Sequence, residues 1–208
     1  IARGSSAPFV PPAVRTGLPD GVHTRAVKQT APAGNTSAAA AASWTVDTTA
    51  APPVLSGVPA AATNATSASI GFTGESGATF ACSVDGGASA PCTSPEVLTG
   101  LADGAHTLAV KQTDPAGNTS AAATASWIVD TTAAPPALSG VPAAETNATS
   151  ASIGFAGESG ATFACSIDSG SYAPCVSPAV LPGLPDGVHP LAVKQTDPAG
   201  NTSAAAAE

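Results

Sequence analysis

Along residues 67–74 apolar and small polar positions alternate: Ala68, Ile70 and Phe72 are separated by Ser69 and Gly71. A period of two is that of a strand with one face buried. The same period places Phe80, Cys82 and Val84 on one face of residues 79–84. It turns Leu108 and Val110 inward while Lys111 and Thr113 face water, and it puts Trp127 and Val129 together in residues 122–129. Residues 96–101 read as a short strand and residues 52–58 as an edge strand interrupted by proline, which has no N–H for an inner ladder. Between these runs lie turn signals: Gly74 to Gly77, Asp85-Gly86-Gly87, Ala102-Asp103-Gly104 and Asp114-Pro-Ala-Gly-Asn118. The alanine run before Trp44 has helical propensity, but it is short, uncapped and continuous with a β pattern, so it predicts strand. Short strands separated by turns in this way predict an all-β sandwich.

The pattern recurs at a fixed distance. Cys82 and Cys165 are 83 residues apart (165 − 82), as are Cys92 and Cys175, and His23, His106 and His189 follow the same step. Residues 43–125 and 126–208 align without gaps and differ at 16 of 83 positions, whereas residues 1–42 match only the second half of the unit. A unit of this size can close its own core, unlike solenoid repeats of roughly 20–50 residues that must stack to bury one. The chain therefore divides into residues 1–50, half a module plus a linker; residues 51–133, a complete module; and residues 134–208, a module lacking its last strand. We refer to these as the first, second and third modules.

Composition narrows the setting. Only 10% of residues are charged, the net charge is −8, and Lys and Arg number six. Nucleic-acid binding needs clustered cations to replace phosphate counterions, and an anionic membrane surface would repel this chain. No apolar run of about 20 residues spans a bilayer, and no signal peptide opens the chain. Glycine plus proline make 41 of 208 residues (21 + 20), a disorder-like fraction that the periodic apolar strands argue against.

The stretches Phe80-Ala-Cys-Ser-Val-Asp-Gly, Gly100-Leu-Ala-Asp-Gly-Ala-His, Asp114-Pro-Ala-Gly-Asn and Trp127-Ile-Val-Asp-Thr-Thr-Ala resemble the tandem bacterial immunoglobulin-like repeats of large extracellular proteins. The resemblance covers nearly the whole chain. It implies tandem seven-strand immunoglobulin-like β-sandwiches, an extracellular or cell-surface setting, and a repetitive stalk or adhesin role, but no particular ligand.

Four cysteines allow three pairings. Cys82–Cys92 and Cys165–Cys175 lie within one module each, whereas cross-module pairs would fold successive modules back on one another. A two-cysteine metal site lacks further ligands at suitable spacing, so disulfides are expected, and with them an oxidising compartment. Trp44, Trp127, Phe72, Phe155, Phe80 and Phe163 are expected to anchor cores. The first module departs from the pattern: Phe9 stands at the place of Cys92, Arg15 at that of Leu98 and Arg25 at that of Leu108. Two accounts fit the incomplete first and third modules: a window on a longer chain, or strand exchange with a neighbouring subunit in a head-to-tail filament.

Chemistry-bearing residues fall in turns. The histidines follow Asp-Gly-x and lack a nucleophile or acid held by a third group, so no enzyme is read from them. Asn35, Asn64, Asn118, Asn147 and Asn201 each open an Asn-x-Ser/Thr triplet, but three of them end an Ala-Gly-Asn turn, which explains them by turn chemistry. In a sandwich of this topology the chain enters at the pole of the B–C and F–G loops and leaves at the pole of the E–F loop. The joint between the second and third modules would then gather Asp103, Asp130, Glu158, Asp197 and Asn201, and one period earlier Asp20, Asp47, Glu75, Asp114 and Asn118. Such oxygen-rich groups suit Ca2+, the one cofactor the sequence offers, the alternative being that they are solvated turn residues and no more. The function expected is a structural stalk or filament whose partners are copies of itself or adjoining modules. The alternative is an adhesin module for a surface glycan or receptor, with Tyr172 its one candidate platform.

Overall fold

The structure, a computed structural model, describes residues 14–208. Phe9, at the place of Cys92, lies outside them. The elements are β-strands: β1 (Gly21–Val27) and β2 (Ala40–Val46) in the first module; β3 (Val54–Ser56), β4 (Ala62–Thr63), β5 (Ser67–Thr73), β6 (Thr79–Val84), β7 (Ala90–Cys92), β8 (Glu96–Thr99), β9 (Gly104–Thr113) and β10 (Ala123–Val129) in the second; and β11 (Ala137–Ser139), β12 (Ala151–Ala156), β13 (Thr162–Ile167), β14 (Ala173–Cys175), β15 (Ala179–Leu181), β16 (Leu191–Thr196) and β17 (Ala206–Ala207) in the third.

The second module is a sandwich of a three-stranded sheet, β3-β5-β8, and a five-stranded sheet, β4-β10-β9-β6-β7. The first strand expected from the sequence is split: β3 pairs antiparallel with β5, and β4 crosses to pair parallel with β10. Gly57, with φ at +68°, sits at the break, and Pro59 follows it. Counting β3 and β4 as one gives seven strands. The short strand β7 contains Pro91 and was not among the strands read from the sequence. It forms an edge, where the missing N–H costs no inner bond. Asp85 and Gly86, at φ +50° and +71°, make the tight turn from β6 to β7 that the Asp-Gly-Gly signal predicts.

Alternation decides what fills the sandwich. Ala68, Ile70 and Phe72 of β5 and Leu98 of β8 face Cys82, Leu108, Val110, Trp127 and Val129 of the other sheet, all buried. Phe80 is half-buried against them, its ring centroid 5.0 Å from that of Phe72. The third module repeats the arrangement with sheets β11-β12-β15 and β14-β13-β16-β17. Its core holds Ile153, Phe155, Cys165, Leu191 and Val193, with Phe163 half-buried. Its last strand is represented by β17, two residues paired with β16.

The expectation for Trp44 is corrected. It is 39% exposed, whereas Trp127 is 2% exposed. The alanine run leading to it is strand, as its pattern predicts, and pairs with β1. The counterparts of β5 and β8, which cover Trp127, do not occur among the described residues of the first module. Arg15 is exposed and Arg25 half-buried.

Candidate functional site

Each entry into a module is built around one buried amide. In β9 the inward positions run Leu108, Val110, Gln112, so the period that buries the two aliphatics also buries a glutamine. An amide there must find partners. Gln112 Nε2 donates to the Ala51 carbonyl at 2.6 Å and to Glu75 Oε1 at 3.0 Å, and its Oε1 accepts from the Glu75 N–H at 2.9 Å. A Cβ at position 74 would collide with Gln112 Oε1, which accounts for Gly74. Gln195 does the same in the third module, bonding Ala134 and Glu158 beside Gly157. These two glutamines tie the incoming linker to the turn between β5 and β6 and to its counterpart between β12 and β13, and the sequence reading did not single them out. The signal was present in the alternation of Leu108, Val110 and Gln112.

The acidic residues expected at the joints divide into two groups. Carboxylate oxygens of Asp47, Glu75 and Asp114 lie within 4.8 Å of one another, as do those of Asp130, Glu158 and Asp197. Asn118 joins the first group: its backbone N–H donates to Asp114 Oδ1 at 2.9 Å, and its Nδ2 donates to Asp114 Oδ2 at 2.7 Å and to the Asp47 carbonyl at 2.9 Å. Asn201 does likewise with Asp197 and Asp130. Asp20 and Asp103 stand apart from the triads. Asp103 accepts from the Thr131 hydroxyl at 2.8 Å, and Asp20 accepts from that of Thr48 at 2.9 Å. The linker between the second and third modules is thus held from both sides, by Asp103 at the exit and by Asn201, Glu158 and Gln195 at the entry.

The hydrogen bonds that Asn118 donates hold the Asp114 carboxyl below the usual carboxylate range. For Asp197 burial, the largest single influence, works in the opposite direction, but the bonds from Asn201, Gly200 and Ala199 together outweigh it and the carboxyl is again held low. Both therefore stay ionised at neutral pH. A hard cation would be met by three carboxylates per joint, several of whose oxygens already accept N–H bonds. Glu96 lies near Cys82 and Cys92, but those sulfurs are bonded to each other (S–S 2.08 Å) and offer no thiolate; Cys165 and Cys175 are bonded likewise (2.04 Å).

Two further sites lie away from the joints. His106 packs its ring 6.0 Å from that of Trp127, with Nδ1 2.9 Å from Asp85 Oδ2 and Nε2 2.8 Å from the Ala102 carbonyl. His189 has the same partners in Asp168 and Pro185. Tyr172 is 42% exposed on the outer face of the third module, with Lys194 Nζ 4.6 Å from its ring centroid.

Residues 52–131 match the family model described as bacterial Ig-like domain. No curated protein matches the chain. Among solved structures the chain is similar to a 1.5-MDa bacterial ice-binding adhesin, titled for its host cell surface retention, at 19% identity and a TM-score of 0.41, covering 88% of this chain and 71% of that one. It is also similar to the BSP domain of a biofilm-associated protein, at 18% identity and a TM-score of 0.26, covering 73% of this chain and 28% of that one. A third similarity is to the central fibronectin-III array of a RIM-binding protein, at 20% identity and a TM-score of 0.25, covering 66% and 62%.

Proposed function

We propose, on the premise that residues 52–131 are a bacterial Ig-like domain, that the chain is a stalk or filament segment of a secreted bacterial surface protein, spacing modules outside the cell. The observation that carries this reading is the linker around Thr131, pinned to the second module by Asp103 and to the third by Glu158, Gln195 and Asn201. A spacer needs joints that resist bending. A linker whose backbone bonds both neighbours supplies such a joint, and two intramodule disulfides suit an oxidising exterior. The period of 83 residues and the boundaries at 50/51 and 133/134 belong to this reading. Small-angle scattering tests it. A compact chain of this length would have a radius of gyration of about 17 Å, and a row of modules must exceed that clearly; a value near the compact one overturns the stalk.

Calcium is a separate part of the proposal. The triads Asp47, Glu75, Asp114 and Asp130, Glu158, Asp197 concentrate negative charge at each joint, and a cation with oxygen preference would offset the repulsion and stiffen it. Scattering profiles recorded with calcium and with chelator should then differ, the chelated chain being shorter and more flexible. Superimposable profiles would leave the joints to packing and hydrogen bonds alone. The alternative of a glycan-binding adhesin module rests on Tyr172 and its Lys194 neighbour. Glycan binding that survives Tyr172→Ala would remove that support.

A further inference from the structure

The turn that closes β16, Asp197-Pro-Ala-Gly-Asn201, reaches beyond its own module. Asn64, in the loop between β4 and β5 of the second module, donates its backbone N–H to the Ala199 carbonyl at 3.1 Å. The face of Gly200 lies against the same residue, with a Cβ built there 3.7 Å from Asn64 Nδ2. The identical turn of the second module, Asp114-Pro-Ala-Gly-Asn118, provides a comparison inside one molecule. Gly117 has the same left-handed backbone (φ +94° against +95°), yet a Cβ there meets nothing within 4 Å. Ala116 is exposed where Ala199 is half-buried. The two turns share sequence and internal hydrogen bonds, Gly117 to Asp114 and Gly200 to Asp197 at 3.1 Å each. What distinguishes them among the described residues is the loop at Asn64, which meets the third-module turn, whereas no described residue stands in that place against Gly117.

We infer that this turn is a docking element, the Asp-Pro-Ala-Gly-Asn turn of one module seating on the Asn-Ala-Thr loop of the module before it, and that Asn147-Ala-Thr of the third module is the receiving surface for the same turn of a further copy. The partner is a module of this same repeat. The recognition is backbone to backbone and needs no cation. Glycine at the fourth turn position supplies the left-handed backbone of the turn, and a Cβ there would already be in van der Waals contact with Asn64 Nδ2, so a longer side chain at Gly200 would crowd the Asn64 loop. The inference rests on the reading of the chain as a row of like modules, but the two can fail separately. A chain with loose joints is still extended, and a chain clasped at this joint need not serve as a stalk.

Amide hydrogen exchange of the full chain, followed by NMR, tests it. The Asn64 amide should exchange at least tenfold more slowly than that of Asn147, which has the same neighbours in sequence and no acceptor among the described residues. Gly200→Leu should accelerate Asn64 exchange tenfold or more. Gly117→Leu imposes the same backbone strain in the same turn and should leave Asn64 within about twofold, so a general loss of turn structure is told apart from loss of the clasp. All three results should hold in chelator. In a chain lengthened by one repeat, Asn147 should gain the protection of Asn64. The inference is overturned if Asn64 exchanges as fast as Asn147, if both leucine variants act on it alike, if chelator abolishes its protection, or if Asn147 stays open in the lengthened chain.

Discussion

The hairpin of β1 and β2 and the hairpin of β9 and β10 are the same piece of chain in two circumstances. Their registers coincide one period apart, Gly21 opposite Val46 as Gly104 is opposite Val129, and His23 opposite Trp44 as His106 is opposite Trp127. Even the closing bridges match, Thr30 to Thr36 and Thr113 to Thr119. Burial does not follow. Val110 is fully buried and its counterpart Val27 exposed; Leu108 is fully buried where the first hairpin carries Arg25. Local pairing and turn chemistry thus set the shape of this hairpin wherever it occurs, while the opposing sheet of Ile70, Phe72 and Leu98 makes a core of it.

The tryptophans break or confirm this contrast with the largest effect. Trp127→Ala removes a buried ring from a closed core and should destabilise the second module by about 3–5 kcal/mol. Trp44→Ala removes a ring already facing water and should cost about 1 kcal/mol at most. Urea unfolding followed by far-UV circular dichroism measures both. Comparable losses would mean that Trp44 is packed in solution, and that the first hairpin finds a cover among other residues of the chain or in a second molecule.

A smaller effect sharpens the comparison at the end of the same strand. The backbone N–H groups of Gln29 and Gln112 each donate to a seryl Oγ, those of Ser37 and Ser120, at 3.1 Å. Only Gln112 also has its side chain inside, holding Ala51 and Glu75. Gln112→Ala strands a carbonyl and an N–H in a partly buried site and should cost about 1–3 kcal/mol. Gln29→Ala should change stability by no more than about 0.5 kcal/mol. Equal values would show that the entry amide contributes nothing beyond its backbone bonds.

These pairs also show how far the sequence could be read. Alternation at Ala68, Ile70, Phe72 and at Leu108, Val110 gave the strands and their inward faces, and the Asp-Gly-Gly and Asp-Pro-Ala-Gly-Asn signals gave the turns, because period and turn chemistry act over a few residues. The triads at the joints were legible from topology, since the poles of a sandwich follow from strand order. Exposure of Trp44 was not legible, because a strand carries no record of whether its opposing sheet is present. The split of the first strand, the third-module turn resting on Asn64 and the outward attachment of Asp20 and Asp103 to linker threonines depend on distances between segments far apart in sequence. Asp85 was read only as a turn former, and its bond to His106 likewise joins residues 21 positions apart.

The histidines yield the smallest effect and the most specific one. His106 meets an acceptor at each ring nitrogen, the Ala102 carbonyl at Nε2 and the Asp85 carboxylate at Nδ1. A neutral imidazole has one N–H, so only the imidazolium satisfies both neighbours. The Ala102 carbonyl, then Asp85, accordingly raise the His106 pKa, and Pro185, then Asp168, raise that of His189. A histidine whose folded pKa lies above its unfolded value, about 6.5, adds stability that is fully present below that value and is lost as pH rises through the folded pKa. Asp85 runs the other way. The Thr107 N–H, then His106, hold it low, so its contribution is present above the ordinary Asp range of about 3.9 and lost as pH falls through the folded value. The pair is therefore complete in the interval between, and the urea midpoint of the second module should fall from pH 6 to pH 8.5 by less than Trp127→Ala or Gln112→Ala lowers it. His106→Gln should flatten that slope. His23 also has a carbonyl, that of Pro19, at Nε2, but the position 83 residues before Asp85 is Ala2 (85 − 83 = 2) and supplies no carboxylate. A slope that persists unchanged in His106→Gln would show that it does not come from the histidine–aspartate pair.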